Sequence, residues 1–198
     1  MRSILDMVTA HVDSHVLEYI GRQLECHRRT AASAVRSAVA TLIASLASNT
    51  DDPSEATALF HALDDHKGDL DTLESTVGDP LASMMAGHAP PRNGGGLNSL
   101  LPAATGEALL TRIFGRREPD AESGIARATS LTEQQVRQLL LFLAPVVMGV
   151  LSRRKDQGMD EAGLKRDLAA SASESLQPHQ PSELAEILGA FFQRVRLA

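Results

Sequence analysis

The amino-acid sequence predicts an all-α fold, a multi-helical bundle of two related helical repeats with no β-sheet. Three observations predict it. Apolar residues recur at intervals of three and four along most of the chain, which is the period of a helix face. The better helix formers Ala, Leu, Glu, Gln and Arg are abundant, whereas aromatics make up 3% of the 198 residues, with no Trp and one Tyr. β-branched residues seldom alternate with polar ones, as a half-buried strand would require. With 43% apolar residues the core must be aliphatic. The length suits one domain or two small ones, since compact domains run to about 100–150 residues.

The elements follow in order. Ile4, Leu5, Val8 and Val12 form one helical stripe and Leu17, Ile20 and Leu24 another, with Asp13-Ser14 placed to cap the second. A long helix spans about Arg28 to Ser48 on Ala31, Ala34, Val35, Ala38, Val39, Leu42, Ile43 and Leu46, with Asn49 as its stop. Asp52-Pro53-Ser54-Glu55 opens the next, because Asp caps, Pro fits the first helical position and Glu reaches back to the cap. Ala56, Leu59, Phe60 and Leu63 are its buried stripe. Gly68 and Gly78 bracket a short helix through Leu70, Leu73 and Val77, and Asp79-Pro80 opens another with Leu81, Met84 and Met85.

The pattern breaks at His88 to Gly96, where prolines and three consecutive glycines give a linker composition. Helices resume at Thr105 with Leu109, Leu110, Ile113 and Phe114, stop at Gly115, and restart after Pro119 with Ala121, Ile125 and Ala128. Thr132-Glu133-Gln134-Gln135 is a capping box ahead of the longest apolar helix, which carries Val136, Leu139, Leu140, Leu143, Val146, Val147, Val150 and Leu151. Pro145 predicts a kink or break near Phe142 to Pro145, leaving an irregular, partner-facing surface. Gly158 precedes a helix with Leu164 and Leu168, and beyond Pro178 and Pro181 a final amphipathic helix carries Leu184, Ile187, Leu188, Phe191 and Val195. The predicted organisation is a first repeat unit over 1–87, a linker over 88–104, a second unit over 105–172 and a C-terminal helix over 173–198.

An offset of 105 residues aligns the two units without a gap: Ile20 with Ile125, Arg22 with Arg127, Leu46 with Leu151, Leu59 with Leu164 and Leu63 with Leu168. Val35, Ala38, Leu42 and Ile43 meet Leu140, Leu143, Val147 and Met148, and Ala40 stands where Pro145 does. Each long helix has more apolar surface than its own short flanks can cover, so the units are expected to pack long helix against long helix.

These residues carry a resemblance. Ile113-Phe114-Gly115, Ser130-Leu131-Thr132 ahead of Leu139-Leu140, the run Ala144-Pro145-Val146-Val147-Met148-Gly149-Val150-Leu151, and Gly158 with Leu164 resemble a bacterial family known as domain of unknown function 937. The resemblance implies a small helical bacterial protein. It brings no catalytic or ligand residues, since the family has none established. In the first unit Ala40 replaces the proline, and Glu25-Cys26-His27 replaces the glycine-leucine turn usual in the family.

Candidate chemistry reads more simply as structure. His11 and His15, four apart with Asp13 between, orient two metal ligands, but a zinc site needs a third and a fourth. His61 with Asp65, and His66 beside Asp64-Asp65, read as a solvated helix end. Cys26-His27 are neighbours in sequence, whereas a catalytic pair is assembled from distant segments. Gly94-Gly95-Gly96 lacks the strand before and the Lys-Ser/Thr after that a phosphate loop needs. No catalytic, cofactor-binding or metal residue is assigned, and no cofactor is expected.

Net charge is −6, divided as 6 basic against 13 acidic side chains over 1–87, a balance of −7, and 13 against 12 over 88–198, a balance of +1. An acidic chain is repelled by phosphate backbones unless a basic patch acts locally. Arg116-Arg117 and Arg153-Arg154-Lys155 are such patches, and both sit at helix C-termini where cations also favour the dipole. Ile125 to Leu143 has the cadence of a helix-turn-helix, although the helix after Thr132 is too apolar to leave a face for base edges. The single cysteine and the absence of a signal-like apolar run after Met1 fit a cytoplasmic protein, and the 13-residue apolar run Leu139 to Leu151 falls short of the ~20 residues of a membrane span. The expected function is a non-enzymatic scaffold or interaction module with a protein partner or a second copy. The alternative is a nucleic-acid-associated regulator.

Overall fold

The computed structural model describes residues 3–12, 14–67, 70 and 103–175. In chain order these form α1 (Ile4–His11), α2 (Ser14–Gln23), α3 (Arg28–Asn49), α4 (Pro53–Ala62) and a 3-10 turn (Leu63–His66). The second half continues with α5 (Ala103–Phe114), a 3-10 turn (Gly115–Arg117), α6 (Glu118–Thr129), α7 (Glu133–Asp156) and α8 (Glu161–Ser175). The fold is all-α, with no strand among the described residues.

Most expected signals do the work their chemistry predicts. The Ser3 side chain accepts from the Asp6 N–H to start α1. Asp52 accepts from the N–H and the hydroxyl of Ser54 ahead of Pro53 in α4. Gly115 ends α5 with φ +56, a left-handed conformation that suits a residue without Cβ. Other expectations shift. α5 starts at Ala103, so the last residues assigned to the 88–104 linker are helical, and Ser173–Ser175 belong to α8 instead of a separate terminal helix. The Asp13 cap, the glycines at 68 and 78, the helices expected between Asp71 and Met85, the His88–Gly96 segment and the stretch from residue 176 onward lie outside the described residues.

α3 and α7 form the centre. They touch each other, and one hydrophobic cluster takes in residues of both halves, from Ile4 and Ile20 through Leu42, Leu46, Leu110 and Leu140 to Leu164 and Leu168. The halves cover each other reciprocally. α8 packs along α3, and the 3-10 turn Leu63–His66 of the first half packs against α7. At a cost of roughly 25 cal/mol for each Å² of apolar surface left in water, such faces do not stay bare. Both long helices have the length and hydropathy of a membrane span, but 72% of the most apolar window of α3 and 83% of that of α7 are buried in the bundle.

Pro145 does not break α7, and it is buried. The helix runs through it from Glu133 to Asp156, and every residue from Leu139 to Ser152 is buried. Proline has no N–H to give to the carbonyl four residues earlier, which is that of Leu141. Gly106 of α5 comes against that carbonyl: a Cβ added to the glycine would stand 3.0 Å from the Leu141 oxygen and 3.2 Å from its Cδ2. A bare Cα thus allows α5 to approach the freed oxygen closely. The sequence shows the missing donor, but which helix covers the gap is a tertiary matter.

Two local features recur at the offset of 105. α3 and α7 begin at residues 28 and 133, which are 105 apart. The two non-glycine residues with positive φ among those described are Glu25 at 50° and Ser130 at 59°, again 105 apart, each in the turn before a long helix.

Candidate functional site

Two turns meet at one end of the bundle. The α6–α7 turn is closed by Thr132, whose side chain accepts from the Gln135 N–H at 3.2 Å, while the Gln135 Oε1 accepts from the Thr132 N–H at 2.8 Å. Gln135 also donates from Nε2 to the Leu24 carbonyl at 2.6 Å, tying this turn to the end of α2. The α2–α3 turn therefore lies beside the start of α7.

The α2–α3 turn is built differently. The Cys26 N–H donates to the Gly21 carbonyl at 2.8 Å, folding the chain back over α2. Gly21 permits the approach, because a Cβ there would be 3.1 Å from the Cys26 carbonyl oxygen. His27 occupies the cap of α3 without a side-chain cap bond, and no acidic residue follows in the first turn. Arg28 and Arg29 stand there instead, exposed. An open depression of about 490 Å³ results, lined by Glu18, Gly21, Arg22, Glu25, Cys26, His27 and Arg28.

The capping difference has an energetic signature. Thr132→Ala should lower stability by roughly 1 kcal/mol, whereas His27→Ser, which supplies a missing acceptor, should raise it by about 0.5–1 kcal/mol. Denaturant midpoints of the two variants check this, and equal and small changes in both would show that capping does not distinguish the turns.

The singled-out histidines do not converge. His11 and His15 belong to different helices, so their spacing of four does not place them on one helical face. The His11 Nδ1 lies 2.8 Å from the Met7 carbonyl oxygen. His61 is exposed with its ring edge-on to Phe60, and His66 is buried in the 3-10 turn after α4. Among the described residues no three His, Cys, Asp or Glu side chains are grouped to hold a metal ion. The half-buried Cys26 has its thiol pushed above its ordinary range by burial, which disfavours the thiolate a nucleophile needs.

The arginine clusters flagged by sequence divide. Arg154 pairs with Asp167 of α8. Lys155 donates to the Phe60 carbonyl at 2.7 Å and to Asp64 at 2.8 Å, and its ammonium lies 4.1 Å from the Phe60 ring centroid. Hydrogen bonds from Lys155 and Lys67 hold the Asp64 carboxyl below the usual carboxylate range. These cations fasten the end of α7 to the neighbouring helices, and little of that charge faces outward. Sequence reasoning missed a different group: Arg28, Arg29 and Arg36, all exposed on α3, with no ion pair among the described residues. The helical spacing shows one shared face, but only the positions of acids elsewhere show that no acid among the described residues pairs with it.

A second cluster joins α5, α6 and α7. Arg137 lies 2.8 Å from Glu118, 3.4 Å from Glu122 and 3.8 Å from Glu107. The Glu118 Oε1 is in ion-pair contact but is not aligned for a hydrogen bond. Burial, more than the opposing pull of Arg137, raises the Glu122 carboxyl above its ordinary range. A carboxyl raised on folding binds its proton more tightly in the folded state, so it adds stability as pH falls through its folded pKa toward the unfolded value near 4.3. Glu122→Gln should therefore stabilise the protein at neutral pH, and the wild type should recover relative to the variant on acidification. A variant less stable at neutral pH would show that the ion pair outweighs burial; thermal melts across pH decide it.

A family model described as a bacterial protein of unknown function matches residues 6–154. No curated protein and no solved structure matches the chain.

Proposed function

We propose that this chain, which belongs to that bacterial family of unknown function matched over residues 6–154, is a non-enzymatic helical interaction module. In this reading it consists of two related units that interleave, acts in the cytoplasm and binds a protein partner or a second copy. The observation that supports it best is the reciprocal covering of α3 by α8 and of α7 by the turn after α4. Two units that bury each other's long helices make a rigid body whose ends and turns are free to vary, which suits recognition. The coincidence of Glu25 and Ser130, of the two helix starts and of buried pairs such as Ile20 and Ile125 at one offset supports the duplication.

The test is cross-linking of the full chain in its own host, followed by identification of what is joined to it. A specific protein or a second copy is expected. Recovery of nucleic acid alone, with a gel shift of short duplex DNA that weakens steeply with salt and on neutralising Arg153 and Arg154, would replace this reading with the nucleic-acid one.

A further inference from the structure

The first turn of α3 breaks a rule that the first turn of α7 keeps. A helix N-terminus favours acidic side chains and a capping hydroxyl, and disfavours cations by about 0.3–1 kcal/mol each. α7 complies, with Thr132 as cap and Glu133 in its first turn. Residues 105 earlier in the chain, His27 and Arg28, do the opposite, and Arg29 follows. Because both helices continue into the same core, the comparison separates what a helix start needs for stability from what it carries besides.

The position of the cations is specific. At 100° per residue Arg28, Ala32, Arg36, Arg29 and Ser33 fall within one sector of α3. Arg28, Arg29, Ser33 and Arg36 are exposed, while Ala31, Ala34 and Val35 turn inward to the core. Arg22, by contrast, is matched by Glu18 four residues before it. The depression beside Arg28 also contains Glu18 and Glu25, so the surface is basic on the helix and of mixed sign at its edge.

We infer that this face of α3, with the depression at its foot, is a docking surface for an acidic segment of a protein partner. The inference rests on the interaction-module reading. Exposed arginines without an ion pair among the described residues offer planar donors that match carboxylates in pairs. The acids at the edge favour a protein segment, which presents both signs, over a nucleic-acid strand, which presents one.

The test places a photo-activatable cross-linking residue at Ser33 of the full chain expressed in its host, with a second version carrying it at exposed Asp120 of α6 as a control. Cross-links from Ser33 to one protein are expected, mapping to a stretch rich in Asp and Glu. Arg28→Glu with Arg29→Glu should reduce them about tenfold or more. A synthetic peptide of the mapped stretch should bind the purified chain, with affinity falling as salt rises. Cross-links to nucleic acid, to a second copy or to a stretch without acids would overturn the proposal, as would yields unchanged by the charge reversal. Cross-links from the control position alone would remove this surface but leave the interaction module standing. None from either position would count against both. Circular dichroism confirms that the charge-reversed chain remains folded.

Discussion

Leu143→Asp should unfold the protein. Leu143 is fully buried in α7, within a run from Leu139 to Ser152 that is buried throughout. An ionised carboxylate placed there loses its hydration and finds no cation, a cost of several kcal/mol that neutralisation only partly relieves. Domains of this size are stable by about 5–15 kcal/mol, so one such change takes most of the margin. Leu143→Ala, which leaves a cavity without a charge, should cost about 2–5 kcal/mol and keep a cooperative transition. Helical signal lost in the Asp variant and kept in the Ala variant is the expected pair of results by circular dichroism. An Asp variant that stays folded and loses only self-association would mean that α7 is an interface and not the core.

Gly149→Val should be the next most damaging substitution, although helix propensity alone predicts the reverse. Glycine inside a helix is worse than alanine by about 1 kcal/mol, so filling the position ought to help. Here a Cβ would stand 2.8 Å from the Leu70 Cγ and 3.3 Å from its backbone nitrogen. Leu70 is buried against α7 in the notch that the glycine leaves. The added bulk must push the chain at residue 70 away, at a cost of about 1–3 kcal/mol beyond any propensity gain. Leu70→Ala should relieve it, so the double variant should be more stable than the sum of the single changes predicts. Strict additivity in denaturant unfolding would mean that the two residues do not compete for the same space.

The sequence shows the helices clearly because their signals are local. The period of apolar residues, the hydroxyl at Thr132, the carboxylate at Asp52 and the turn glycine at 115 each act within about one turn of where they stand. The sequence is silent where the outcome depends on a distant segment. Arg154 and Lys155 look like a free basic patch until Asp167 and Asp64 are brought to them. The candidate surface shows the same division, since Arg28, Arg29 and Arg36 share a helical face by spacing alone, whereas the absence of an ion pair to them among the described residues follows from the packing.

Local signals in the sequence sufficed for the all-α class, the course of the described helices up to their caps, the aliphatic core and the resemblance to a bacterial family. Periodicity and capping are short-range properties, and tertiary packing had no reason to override them here. How the apolar surplus is covered followed from packing between distant segments: α8 on α3, the turn after α4 on α7, Gly106 over the carbonyl that Pro145 leaves without a donor, and Leu70 in the notch at Gly149. An apolar face specifies that something must cover it but not what, because hydrophobic burial is non-directional. The choice falls to shape, and shape at these contacts is set by glycines whose missing Cβ atoms act across tens of residues of chain.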